Sequence, residues 1–336
     1  MNNPVVLDPA EFPQIIQTLS ENLRSYYIFP DVAEAICARL QEHLGAGDYA
    51  GIHEGEALAA MLTAHLQEIN QDKHLGVKFY PLPLPEQEGA MHENPEWVEE
   101  WHQRVKFDNY GLHKAERLPG NVGFLDIRSF SSADWGGDTA AAAMVFLANT
   151  SALIVDLRQC RGGDPNMVAL ISTYLFGEER IHLNSLYWRE NDTTEQFWTL
   201  PYVPGQRYGD KPVFVLISAS TLSGGEEFAY NLKTRQRGTL VGETTGGGAH
   251  PGTSYRLHPH FDTFIPNGRA INPITGTNWE GTGVEPDVAV PQEQALDVAY
   301  RMVLESILET LGEVQSRSVN LLRDEVRAAL EGLEVS

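Results

Sequence analysis

Cysteine is almost missing. Cys37 and Cys160 are the only two in 336 residues, too few for a disulfide framework, and no CxxC or Cys/His cluster would hold structural zinc. Basic residues are scarce too: 24 Lys and Arg against 46 Asp and Glu leave a net charge of −22. That balance disfavours nucleic acid and anionic membranes as partners. No apolar run approaches the ~20 residues of a membrane span. The start lacks a basic stretch followed by an apolar one, so no signal peptide is read and a cytoplasmic location is expected. A removed leader would make it periplasmic or secreted. What remains is globular: 42% hydrophobic and 9% aromatic residues, enough for one large or two ordinary domains.

Residues 10–70 read as helices. Apolar residues recur at i, i+3 and i+4 over 12–27, 31–44 and 54–69, with Pro30-Asp31 starting the second. His74 follows, ahead of a short strand at 75–80. A lone histidine there also reads as a surface or packing residue. Residues 81–90 are a proline-rich connector, and 95–105 form a short amphipathic helix. From Asn121 strands and helices alternate, which predicts an α/β core with parallel strands. The tail, 294–311 and 320–333, is amphipathic helix. The expected organisation is a helical subdomain over 1–80, a connector over 81–120, and an α/β core with C-terminal helices over 121–336.

The core is organised around 212–248. An apolar, β-branched run, Val213 to Ile217, reads as a buried strand, and helical spacing begins near Phe228. The small-residue turn between them delivers Ser223 to the helix start, over unpaired backbone N–H groups that can hold an oxyanion. Ser223 with Glu226 is equally a capping box. The glycine pair after Ser223 costs helix stability and so implies a close backbone approach. A second glycine pair, Gly162-Gly163, follows the strand ending in Asp156-Leu-Arg158. It is a candidate oxyanion donor beside Gly224, or an ordinary strand-to-helix turn. Neither dinucleotide nor P-loop spacing is present. Gly246, Gly247, Gly248 and His250 form a glycine-rich turn expected to line a cleft. Glu280 lies in a loop where a solvated carboxylate is the ordinary reading. No metal and no cofactor is called for.

The motifs at 156–163, 218–233, 241–250 and 281–290, in that order, resemble the C-terminal-processing (tail-specific) serine peptidase family. The likeness is nearest to the branch with the tricorn protease core and the interphotoreceptor retinoid-binding protein modules. It covers roughly residues 10 to 300 of this sequence. The resemblance implies a crotonase/ClpP-like spiral of ββα units with an N-terminal helical subdomain, and peptide hydrolysis with Ser223 as nucleophile. It implies His74 as base, Glu280 as an orienting carboxylate, and Gly162 or Gly163 with Gly224 as oxyanion donors. The better-known branch places a lysine where Gly248 stands here, so a Ser/Lys dyad is not expected. Lys233, ten residues along the helix, would lie about 15 Å away. His250 is a rival base. The short stretch between His74 and Asn121 leaves no room for a PDZ domain. Peptides or unfolded proteins are the expected substrates, and a homo-oligomer is left open. The competing expectation is a retinoid- or fatty-acid-binding module without catalysis.

Overall fold

Proline opens three of the helices, at Pro30, Pro95 and Pro165, the position where its missing N–H costs nothing. The computed structural model describes residues 7–87 and 89–335. The protein begins with α1 (Phe12–Tyr26), α2 (Pro30–Ala46), α3 (Gly55–Gln67), β1 (Gly76–Phe79) and α4 (Pro95–Phe107). It continues through β2 (Leu112–Leu118), β3 (Val122–Ile127), α5 (Ala133–Leu147), β4 (Ala152–Asp156) and α6 (Pro165–Leu175). A hairpin, β5 (His182–Trp188) and β6 (Thr193–Trp198), precedes β7 (Val213–Ile217), α7 (Gly224–Thr234) and β8 (Thr239–Gly242). Then come β9 (Gly252–His258), β10 (Phe261–Pro266), β11 (Gly268–Ile271), β12 (Val288–Ala289), α8 (Ala295–Leu311) and α9 (Arg317–Val335). None of the described helices is long and apolar enough to cross a membrane.

Two units emerge. The helical unit runs through Gln103 and takes in Ser185–Glu195 and Gly248–Ile271. In it α1 buries Phe12, Ile15, Ile16, Leu19 and Leu23, one stripe at helical spacing. That stripe joins a core with Ile36, Leu40, Leu62, Phe261 and Ile265. The antiparallel sheet β1-β10-β9 belongs to this unit, and Tyr26 stacks on Tyr255 with ring centres 4.2 Å apart.

The sheet unit comprises Arg104–Asn184, Gln196–Gly247 and the residues from Asn272 onward. Its sheet has the order β12-β8-β7-β4-β3-β2, parallel throughout except for β2 against β3. Every residue of β4 and β7 is buried, as central parallel strands covered on both faces must be. One face, with Val122, Ile154, Phe214 and Leu216, packs on Ala299, Val303 and Leu304 of α8. On the other, Gly123 lies so near Leu147 of α5 that an added Cβ would be 3.4 Å from it. The α/β class, the helical N-terminal region and the parallel core agree with expectation. Among the described residues the stretch from Pro81 to Gly111 holds α4 and short turns, with no PDZ module.

Candidate active site

In the sheet unit three turns follow the C-terminal ends of the neighbouring strands β4, β7 and β8, the end of an open α/β sheet where ligands bind. Hydroxyls lace the first two together. Ser218 Oγ donates to Arg158 O at 2.7 Å, Thr221 Oγ1 to Leu157 O at 2.8 Å, and Leu222 N to Cys160 O at 3.0 Å. This is why the turn is rich in Ser and Thr. Arg158 braces the other side, paired with the buried Asp156 at 2.6 Å and donating to Gln292 O at 2.8 Å.

Ser223 stands just before α7, at φ 55° and ψ −121°. The capping box is there, with Ser223 N donating to Glu226 Oε2 at 2.9 Å. A helix cap, however, sits in the β region of φ/ψ. A non-glycine residue at positive φ costs ~1–3 kcal/mol and persists only where the surroundings impose it. Capping therefore accounts for Glu226 and leaves the backbone of Ser223 unexplained. A strained strand-to-helix elbow is the device that lifts a serine nucleophile clear of the sheet.

The glycines explain themselves by contact. A Cβ on Gly162 would lie 2.6 Å from Ser223 Cβ, and one on Gly163 2.0 Å from Phe130 O. A Cβ on Gly224 would meet Gly163 N and O at 3.0 Å. Gly162 and Gly163 have φ of 101° and 136°, which only glycine adopts without strain. The helix thus starts at Gly224, earlier than its apolar spacing indicates, because its first turn rests on the Gly162-Gly163 peptides. Gly162 N–H is directed at Cys160. Among the described residues neither Gly163 N–H nor Gly224 N–H has an acceptor. Burial first, opposed by that Gly162 bond, pushes the Cys160 thiol up to about 12, so it stays protonated and unreactive.

Glu226, fully buried, joins the elbow to the third turn. Its Oε1 accepts from Thr245 Oγ1 at 2.5 Å and from Gly247 N at 2.7 Å. Gly246 N donates to Thr221 O at 2.9 Å, and Gly281 N to Gly247 O at 3.0 Å. The loop holding the half-buried Glu280 is thereby seated on the glycine-rich turn, with Glu280 N on Asn278 Oδ1 at 3.0 Å. One residue on from Glu226, Glu227 is 5% exposed. Burial first, and the nearby Asp164 charge, push its carboxyl up to about 8 against the pull of Asn184 and Asn231. Lys233 is engaged elsewhere, donating to Glu285 O at 2.5 Å and paired with Asp287 at 3.3 Å.

The helical unit gathers a second group, around a residue sequence reasoning passed over. Asp72 is buried at 1% exposure between α3 and β1. Its Oδ2 pairs with His250 Nδ1 at 3.0 Å and accepts from Tyr27 OH at 3.0 Å. Its Oδ1 accepts from His74 N at 3.0 Å. Burial alone would raise the Asp72 pKa. The His250 bond and charge, with the His74 N–H and Tyr27, outweigh it and hold the carboxyl below its usual range. His74 is half-buried, and its Nδ1 is buried with no hydrogen-bond partner. Desolvation first, helped by His250 and opposed by Asp72, lowers its pKa and keeps the ring neutral. The signal for Asp72 was its place two residues before His74.

The family described as "Peptidase family S41" matches residues 121–290, and the "N-terminal domain of Peptidase_S41 in eukaryotic IRBP" matches residues 7–107. A lipoprotein from Streptococcus agalactiae is similar over 90% of this chain and 99% of its own, at 14% identity and a TM-score of 0.57. The tricorn protease is similar over 95% of this chain and 37% of its own, at 15% identity and TM-score 0.54. A photosystem II D1 C-terminal processing protease shares 23% identity over 51% of this chain and 43% of its own, with TM-score 0.41. The chain therefore spans about two fifths of the last two proteins, and likeness at these identities concerns fold alone.

Proposed function

The chain belongs to peptidase family S41, and we propose that it is a serine peptidase acting on peptides or unfolded proteins. The observation that carries this reading is Ser223, at positive φ beside two N–H groups that have no acceptor among the described residues. Ser223 Oγ attacks the scissile carbonyl carbon, and its proton passes to a histidine acting as general base. Gly163 and Gly224 N–H donate to the oxyanion, with Gly162 shaping their turn. The C–N bond then breaks, the leaving amine takes the histidine's proton, and water hydrolyses the acyl-serine by the same steps reversed.

His74, kept neutral by burial, is the base in this scheme, and Glu280 orients the site. A second assignment of the base, His250, is favoured by Asp72, which holds His250 Nδ1 as a triad carboxylate holds its imidazole. The resemblance to tail-specific peptidases makes the C-terminal ends of polypeptides the first substrates to test.

Labelling with a fluorophosphonate, read by peptide mass, tests the nucleophile. The expected adduct is on the peptide containing Ser223 and is absent from Ser223→Ala of unchanged melting temperature. An adduct on another residue, or equal labelling of both proteins, sinks the scheme. No labelling of the folded protein moves the reading to a ligand-binding module.

A further inference from the structure

Away from the residues assigned above, the helical unit holds a cavity of about 770 Å³ whose lining includes Trp188, Glu190, Thr193, Glu195, Thr253 and Asn267. Two carboxylates and His92 line it, His92 Nδ1 lying 2.8 Å from Thr253 Oγ1, and among the described residues no Lys or Arg does. The nearest cation in sequence, Arg189, donates to the main-chain oxygens of Arg24 and Tyr27.

Asn267 is 8% exposed and lies between β10 and β11. Its N–H donates to Pro251 O at 3.1 Å and its carbonyl accepts from Arg189 N at 3.0 Å. Its side-chain Oδ1 is buried without a donor. Such an acceptor is costly to leave unmet. Trp188 lies against Gly268, where an added Cβ would be 2.7 Å from the indole ring. A small residue there leaves room for the ring. Beside the cavity, β6 is the outer strand of the order β11-β5-β6, and Thr193 to Gln196 are exposed. Its outer main-chain groups suit an extended peptide.

We propose that this cavity binds a cationic side chain of a peptide, arginine in preference to lysine. A guanidinium stacks on an indole and donates several N–H groups in one plane. Glu190 and Glu195 are the acceptors, and Trp188 is the platform. The binding does not depend on Ser223. Only its use in choosing substrates rests on the peptidase reading.

The test is titration calorimetry of the full-length protein with Ser223→Ala, so that nothing is turned over. The probes are acetylated glycine pentapeptides with one central arginine, lysine or citrulline. The arginine peptide is expected to bind about tenfold more tightly than the citrulline one, with lysine between. Glu190→Gln with Glu195→Gln, both exposed positions, should erase that preference while the melting temperature holds. Equal Kd for arginine and citrulline, or a preference that survives the double substitution, overturns the proposal. In the protein with Ser223 intact, the double substitution should raise KM for arginine-containing substrates and leave kcat alone. A fall in kcat with KM unchanged would overturn the role in substrate choice. Arginine-selective binding without any hydrolysis would uphold the pocket and fail the peptidase reading.

Discussion

Around Ser223 the sheet unit makes its site from main chain, whereas around Asp72 the helical unit makes one from side chains. The first rests on glycines that no other residue could replace: Gly162, Gly163 and Gly224 pack peptide against peptide. The second rests on Asp72, His74, His250 and Tyr27, brought together from three separate stretches of sequence. A main-chain site has its donors aimed before any substrate arrives, and its weakness is strain. A side-chain site can tune a proton affinity, and its weakness is burial of charge. Glu226 belongs to both kinds, since a fully buried carboxylate there receives two backbone N–H groups and one hydroxyl.

The sharpest way to break this contrast is to remove the histidines one at a time. His74→Ala should slow fluorophosphonate labelling by about 10³-fold, the range of a lost general base, and His250→Ala by about tenfold. The reverse order would transfer the base to His250. A base must be neutral, and burial holds His74 below its ordinary 6.5, so the acid limb of labelling should fall below that pH. A limb above it would count against His74.

Next in size is Glu226→Gln, which replaces one acceptor oxygen by an amide that has to face a donor. Labelling should slow by roughly 10-fold to 100-fold, and stability should fall by about 1.5–3 kcal/mol, as for hydrogen bonds to a charged group. Unchanged labelling would mean that Glu226 caps the helix and nothing more.

The smallest effect expected is at Glu227, whose carboxyl is pushed up to about 8 from 4.5. Between those values the folded protein binds the proton and the unfolded one does not, so this group's stabilisation, complete below 4.5, is lost as pH rises through about 8. Denaturant melts of Glu227→Gln should be flatter over that window than those of the parent protein. Identical slopes would show that Glu227 is ionised in the fold.

Much of the sheet unit was legible because its signals are local. Val213 to Ile217 is apolar and β-branched, a small-residue turn follows, and helical spacing resumes at Phe228. The β5–β6 hairpin carries no such alternation. Leu183 to Leu186 of β5 are buried in succession, and Thr193 to Gln196 of β6 are exposed in succession. Period-2 reasoning finds nothing to hold there. The positive φ of Ser223 was equally out of reach, since Ser-Gly-Gly-Glu is also an ordinary cap.

By itself the sequence determined the class of fold, the order of the glycine motifs and the position of the serine. Apolar periodicity and glycine tolerance are properties of a few neighbouring residues. Only tertiary structure decided which N–H groups would be left without acceptors, which carboxyl would hold His250, and that Glu226 would bind two turns at once. Those outcomes depend on residues up to 178 positions apart in the sequence, as Asp72 and His250 are. Burial, which sets the protonation of His74 and Glu227, exists only once the core has closed around them.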